Sequence, residues 1–334
     1  MILVTGGTGL VGSYLLYELT CKGHKVRALL RPGKKSYDIR NLFKCLSAEN
    51  TNLIDKVEWF EGDVLDPFSL QQAMQGVDYV YHCAAFISFN PRELKEMLAV
   101  NVDGTSNVVN ACLENSVKKL CHVSSVAALG HTDDNSPVNE DTVWIPSKHR
   151  SAYSKSKYYS EIEVWRGISE GLNSVIVNPS VIIGPGDWNR SSGALFQTVK
   201  NGLKYYTPGS TGYVDVRDVA KAMIMLMNSD IVNEHYILNS ENISFKNAFS
   251  ALAQSIGATP PNKEVKRWMA GLAWRAECLK YLLTGRAPRL SKDAVNAGFG
   301  HSEYSNTKIK PALDFQFIPV NKAIQHAAKF FQKK

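Results

Sequence analysis

Over the first 180 residues, short apolar runs alternate with longer amphipathic stretches. The predicted strands are Ile2–Thr5, Lys25–Leu30, Val57–Glu61, Tyr79–Cys83, Leu120–Val123 and Ser174–Val177. None contains proline, and each is rich in Val, Ile, Leu or aromatic residues, as strands buried on both faces require. Between them, apolar residues recur at helical spacing over Leu10–Lys22, Pro67–Gln75, Arg92–Asn115 and Tyr153–Glu170. This βα alternation predicts an α/β fold, a Rossmann-type doubly wound parallel sheet with helices on both faces. From about Asn189 the rhythm breaks into turn-rich pieces and helical segments, among them Val216–Asn228. The organisation expected is a nucleotide-binding domain over residues 1–180, rejoined by 213–230. A smaller α/β domain, mainly 181–334, would cover the carboxyl ends of the strands and bind substrate.

Composition adds mostly exclusions. Of 334 residues 44% are hydrophobic and 21% charged, which is ordinary for a folded soluble chain. The 38 basic and 31 acidic residues leave a net charge of +7 without a dense basic block, so nucleic acid is not an expected partner. Six cysteines lack CxxC spacing and sit largely in apolar runs; neither a disulfide framework nor a metal site is expected. The chain opens on its first strand with no charged leader and holds no apolar run of membrane length, so a cytoplasmic location is expected. A basic amphipathic helix over Val265–Leu283 aligns Val265, Trp268, Met269, Leu272, Ala276 and Leu279. Such a stripe can lie on a membrane, but packing on its own domain is the favoured expectation.

The chemistry begins at Thr5-Gly6-Gly7-Thr8-Gly9-Leu10-Val11-Gly12, which follows a strand at once and opens a helix. Gly6, Gly9 and Gly12 let a pyrophosphate approach the main chain, and the N–H groups of the new helix, from Leu10 and Val11 onward, would face it. The second strand ends in Arg31, with Lys34 and Lys35 behind it and no acid before Asp38. A carboxylate at this tip would suit the ribose hydroxyls of NAD; a guanidinium instead suits a 2′-phosphate. NADP(H) is therefore expected, with NAD(H) and a merely solvated basic loop as the alternatives. After the third strand, Asp63 and Val64 are placed beside the adenine, and Asp66 before Pro67 reads as a helix N-cap. Ala84 and Ala85, after His82-Cys83, are small residues where backbone would lie against a cofactor; for His82 and Cys83 a packing role is expected.

Tyr153 and Lys157 stand four apart at the start of a helix and so share a face. A nearby ammonium stabilises the phenolate, letting one phenol give or take a proton in either direction of a carbonyl–alcohol interconversion. Ser125, where the fifth strand ends, can donate a hydrogen bond to the substrate oxygen. Ser124 beside it reads as a turn residue.

Taken together, TGGTGLVG, GDVLD, HCAA, AVNVDGT, SSVAALG, YSKSK, NPSVIIGPGD and YVDVRDVAKA resemble the extended short-chain dehydrogenase/reductase superfamily over nearly the whole chain. The resemblance implies that Asn101 joins Ser125, Tyr153 and Lys157 in a proton relay through water. It also implies that Asn178, Pro179 and Val181 lie beside the nicotinamide, and that Arg92–Asn115 and Tyr153–Glu170 pair across a homodimer. Asn178 stands where the family commonly has arginine. Val126-Ala127-Ala128 lacks the acidic pair of the sugar dehydratases, Leu129 replaces the tyrosine common in epimerases, and Pro208–Gly212 lacks the basic residue that holds a nucleotide diphosphate. Arg31 and the apolar Phe86–Phe89 are closer to the dihydroflavonol-reductase, cinnamoyl-CoA-reductase and 3-beta-hydroxysteroid-dehydrogenase branch. A fairly apolar ketone or aldehyde is thus the expected small-molecule substrate, with Phe86, Phe89, Trp144, Asn178 and Trp188 as candidate walls and core packing as the default for each aromatic among them. An NDP-sugar epimerase with a retained cofactor and a non-catalytic cofactor-sensing regulator are the rival readings.

Overall fold

The computed structural model describes residues 1–33, 37–46, 51–88, 90–132, 136–147, 150–188, 193–284 and 290–332. The chain runs β1 (Ile2–Thr5), α1 (Leu10–Cys21), β2 (Val26–Leu30), α2 (Tyr37–Leu46), β3 (Glu58–Glu61), α3 (Pro67–Ala73), β4 (Tyr79–His82), α4 (Leu94–Leu98) and α5 (Gly104–Glu114). It continues through β5 (Lys119–Val123), α6 (Ala152–Ser169), β6 (Ser174–Pro179) and β7 (Val181–Ile183), then α7 (Gly193–Lys200), β8 (Tyr205–Tyr206), β9 (Ser210–Asp215) and α8 (Val216–Met227). The last part holds β10 (Glu234–Leu238), β11 (Glu241–Ser244), α9 (Phe245–Ser255), β12 (Lys263–Glu264), α10 (Arg267–Thr284), α11 (Lys292–Phe299), α12 (Ile309–Leu313) and α13 (Val320–Phe331).

Seven strands form one sheet in the order β10-β6-β5-β4-β1-β2-β3, and every pairing within it is parallel. Its inner strands carry Leu3, Val4, Val80, Leu120, Val175, Ile176 and Val177 with no exposed surface, because helices cover both faces. The edge strand β3 instead presents Glu58 and Glu61 to solvent, which discourages pairing with another chain. Strand order reverses between β1 and β4, where Thr5 pairs His82. Crevices for ligands open outside the carboxyl ends of strands at such a switch point.

The chain returns to this sheet late. Helix α8 packs on α1, capped by the Asp215 carboxylate on the Arg217 N–H at 2.8 Å, and β10 then pairs β6. That last strand is absent from the sequence reading, since Glu234-His235-Tyr236 interrupts its apolar run. The smaller sheet, β11-β9-β7, packs with α7, α9 and α13 around Phe196, Leu252, Ile324 and Phe331.

Two helical expectations change. The Arg92–Asn115 stretch is not one helix: a π-helical turn at Ala99–Asp103 separates α4 from α5. The amphipathic stripe packs only in part: α10 lies on α11, with Met269 half-buried and Ala270 buried, while Trp268, Leu272 and Leu279 are exposed. Among the described residues no helix is long and apolar enough to cross a membrane.

Candidate active site

The turn after β1 is built around glycine. Gly6 has φ +67°, and a Cβ there would collide with the backbone of Cys83 and Ala84; a Cβ on Gly12 would collide with the Gly6 carbonyl. The Gly9 N–H closes the turn on the Gly6 carbonyl at 2.9 Å. Gly9 caps α1 without any side-chain hydrogen bond, and no acid occupies the first turn. The helix N–H groups at Leu10 and Val11 are therefore left for an anion. Register pairs Val4 with Ala28, so Arg31 leaves the neighbouring strand beside this turn with an exposed side chain. Lys34 and Lys35 lie outside the described residues, and of Asp38 only the helical backbone is described.

After β3, Asp63 turns its carboxylate onto the Leu65 N–H at 3.0 Å, and Val64 is buried against Gly104. Asp66 is the cap of α3, accepting from the Phe68 N–H at 3.1 Å with Pro67 in the first turn. After β4, Ala84 is half-buried and Ala85 exposed. The Ala84 N–H donates to the Thr5 hydroxyl at 3.2 Å, which ties the two sides of the switch point together.

His82 does more than fill space. Its Nδ1 meets the Thr5 hydroxyl at 2.7 Å and its Nε2 meets Thr105 at 3.0 Å. Thr105 continues to Ser160 at 3.1 Å, and Ser160 to His122 Nε2 at 3.1 Å. Burial pushes the His82 imidazole down to about 3 and the His122 imidazole well below its usual value. Both rings are therefore neutral, and the network fixes backbone rather than supplying charge.

The catalytic candidates converge from three elements. Ser125 follows β5, and its hydroxyl, which accepts from the Ala127 N–H at 3.1 Å, acts on the Tyr153 phenol in the first turn of α6. The α6 start is fixed by Ser151, which caps the Ser154 N–H at 3.0 Å. Burial raises the phenol, and the Ser125 contact works against that rise. One turn on, Lys157 is 3% exposed, and its ammonium donates to the Val123 carbonyl at 2.9 Å. Burial brings Lys157 down to about 8, opposed by Glu161 and Cys83.

Asn101 lies in the π-helical turn. Its carboxamide accepts from the Phe86 N–H at 2.7 Å, and donates to the Phe86 carbonyl at 2.9 Å and to Ser156 at 3.0 Å. The side chain thus clamps the loop after β4, leaving Phe86 half-buried against the core that holds Val64, Val100 and Val108. Pro179 is buried at the end of β6, with Val181 half-buried after it.

Three substrate-wall expectations need correction. Asn178 is fully buried, with its amide on the Glu161 carboxylate at 2.8 Å and on the Ser125 carbonyl at 3.2 Å. Its amide thus ties the end of β6 to Glu161 and to the backbone of Ser125. Trp188 packs edge-on against Phe196 and Phe331 in the core of the smaller sheet. Trp144 stacks on Tyr158 at 3.9 Å and lines a cavity of about 160 Å³ with Glu161 and His235, behind α6. Phe89 lies outside the described residues. Ser124 is also more than a turn residue, since its hydroxyl donates to Glu161 at 2.6 Å. Glu161 itself escaped sequence reading, although it continues the four-residue spacing of Tyr153 and Lys157 and so had a detectable signal.

Residues 2–238 match the NAD dependent epimerase/dehydratase family. The chain belongs to that family. As a member of it, the protein is an NAD(P)-dependent oxidoreductase of the extended short-chain dehydrogenase/reductase type. It is 29% identical over 336 residues to a Synechocystis sp. protein provisionally named dihydroflavonol 4-reductase, covering 98% of this chain and 94% of the relative. It is 29% identical over 297 residues to sterol demethylase protein B of Methylococcus capsulatus, covering 88% and 86%. Among solved structures, that of gox2253 superposes with a TM-score of 0.83 at 30% identity, covering 100% of this chain and 98% of the other.

Proposed function

We propose that this family member uses NADPH to reduce a ketone or aldehyde carried on a fairly apolar molecule, or catalyses the reverse oxidation. The approach of Ser125 to the Tyr153 phenol, with Lys157 one helical turn on, carries the reading. A pure cofactor sensor has no need of such a pair.

The residues fit a dinucleotide. Glycines stand where any Cβ would collide, and an uncapped helix end without acids faces the turn. Gly6, Gly9, Leu10, Val11 and Gly12 would hold the pyrophosphate, Asp63 and Val64 the adenine side, and Ala84, Ala85, Pro179 and Val181 the nicotinamide side. The exposed Arg31 would pair the 2′-phosphate, which is the ground for preferring NADPH. Such a cofactor supplies a hydride to the carbonyl carbon. Ser125 donates a hydrogen bond to the carbonyl oxygen as negative charge develops there. Tyr153 then gives that oxygen its proton, completing the alcohol, and the Lys157 ammonium favours the phenolate left behind. Asn101 would support Lys157 through water.

An apolar substrate is supported by the sterol in one relative's name and by the segment before α8. A Cβ on Gly209 would collide with the backbone of Gly298 and Gly300, and one on Gly212 with the side chain of Asn239. That stretch is closely backed and brings no cation for a diphosphate. The test is NADPH consumption against a panel of apolar ketones and aldehydes, with NADH in parallel. NADPH-dependent reduction is expected. A preference for NADH of more than about tenfold, ~1.4 kcal/mol, would remove the role given to Arg31. UDP-sugar interconversion without net NADPH loss would make the chain an epimerase.

A further inference from the structure

We propose that Glu161 is a positioning residue: the buried anion that keeps Lys157 charged and, in the same act, holds the Ser124–Ser125 backbone against α6. This rests on the reductase reading above. Tyr153, Lys157 and Glu161 stand at every fourth position and so line one face of α6. Lys157 holds the Val123 carbonyl at 2.9 Å. Glu161 Oε2 accepts from the Ser124 hydroxyl at 2.6 Å and from the Asn178 amide at 2.8 Å, and the same amide reaches the Ser125 carbonyl at 3.2 Å. Three consecutive residues at the end of β5 are thereby tied to the lysine–glutamate line, and the third of them meets Tyr153.

The second Glu161 oxygen accepts from Trp165 Nε1 at 3.4 Å and lies 3.3 Å from His235 Nδ1. Burial pushes this carboxyl up, but the hydrogen bonds from His235, Ser124 and Asn178 outweigh it and hold the group below its ordinary value. The carboxylate is therefore ionised at neutral pH. A glutamine oxygen could accept from Ser124 and Asn178 equally well but carries no charge. The charge bears on Lys157, whose ammonium it holds toward the protonated form. The ammonium is buried, and among the described residues it has a carbonyl partner but no carboxylate within salt-bridge range. Around it, His82 and His122 are neutral, Tyr153 is a protonated phenol, and burial pushes the Cys83 thiol up to about 12, so at neutral pH Glu161 supplies the negative charge that opposes its burial. Facing Glu161 from β10 is His235, and across the adjoining cavity Glu140, whose carboxylate is taken by the Ile237 N–H at 2.8 Å. A buried cation without a nearby anion tends to lose its proton.

The experiment follows the Lys157 proton directly. Lysine labelled with ¹³C at Cε is titrated by NMR in the full chain, and the Lys157 signal is identified by its loss in Lys157→Met. Glu161→Gln should lower the Lys157 midpoint by about one pH unit or more, while NADPH affinity stays within about twofold. Carbonyl reduction at pH 8 should then fall by about tenfold, with a much smaller loss at pH 6. An unmoved midpoint overturns the proposal, as does a rate loss equal at all pH values. Should Glu161→Gln not fold, Glu161→Asp is read instead. Its carboxylate is withdrawn by one methylene, so a lowered midpoint supports the proposal and an unchanged one contradicts it. The midpoint does not depend on turnover. A shifted midpoint in a protein that reduces no carbonyl would refute the reductase reading and leave the Glu161–Lys157 pairing standing.

Discussion

The side chains of Ser125 and Tyr153 come together although one follows β5 and the other opens α6. A substrate oxygen that takes the place of either partner is met by the other at once. Tyr153→Phe should therefore lower kcat by about a hundredfold or more, since the proton donor is lost. Ser125→Ala should cost about tenfold to a hundredfold, the loss of one donor to a developing oxyanion. NADPH affinity, read by fluorescence titration, should change little in either variant. A Tyr153→Phe enzyme as fast as wild type would remove the phenol from the mechanism.

Arg31 sets the cofactor choice in this account. Arg31→Asp should raise the KM for NADPH by about tenfold or more, through loss of a charge-assisted pair and introduction of a repelling carboxylate. The KM for NADH should stay level or improve. Equal losses with both cofactors would place Arg31 outside the 2′-phosphate site.

The buried histidines make the fold acid-sensitive. His82 titrates at about 3 in the folded chain against 6.5 in the unfolded one, and His122 is displaced in the same direction. Below pH 6.5 the unfolded chain thus binds protons that the folded chain refuses, and stability falls as pH drops toward 3. His82 contributes about 1.4 kcal/mol per pH unit over that window, and His122 acts in the same sense. Asp218, raised to about 6 by burial, works in the opposite sense, because folding favours its protonated form. Urea denaturation of wild type and His82→Gln at pH 7.5 and 5 isolates the histidine: the variant should lose less stability on acidification. Equal losses would mean that His82 is protonated in the folded chain.

Most of the large sheet was legible because its strands are apolar on both faces, as with Leu3-Val4 and Val175-Ile176-Val177. What escaped depends on contacts between distant residues. Strand β10 begins Glu234-His235, and only pairing with β6 makes it a strand. The π-helical turn leaves no mark in the spacing around Asn101. In the site, the glycine turn, Ser125, Tyr153 and Lys157 were legible because chemistry demands those residue types at those element boundaries. Trp188 was misplaced, since an aromatic near a cleft in sequence looks the same whether it faces substrate or, as here, Phe331.

Helix α6 exposes Tyr159 at 47% and Ile162 at 42%, and α4 exposes Leu94 at 37%. These apolar side chains lie on the helices expected to pair in a homodimer. Light scattering should give twice the chain mass, and Ile162→Asp should shift the molecule to the monomer, because a charge would be buried unpaired at the interface. A monomeric wild type would contradict the pairing.

In the proposed reaction hydride reaches the carbonyl carbon and Tyr153 supplies the proton. This is tested most directly with NADPH deuterated at the transferable position, incubated with the apolar ketones and aldehydes and followed by mass spectrometry of the product. One deuterium is expected on the carbinol carbon for each NADPH consumed, and that product should be lost in Tyr153→Phe. Product without deuterium, or sugar-nucleotide interconversion with no NADPH consumed, would contradict it.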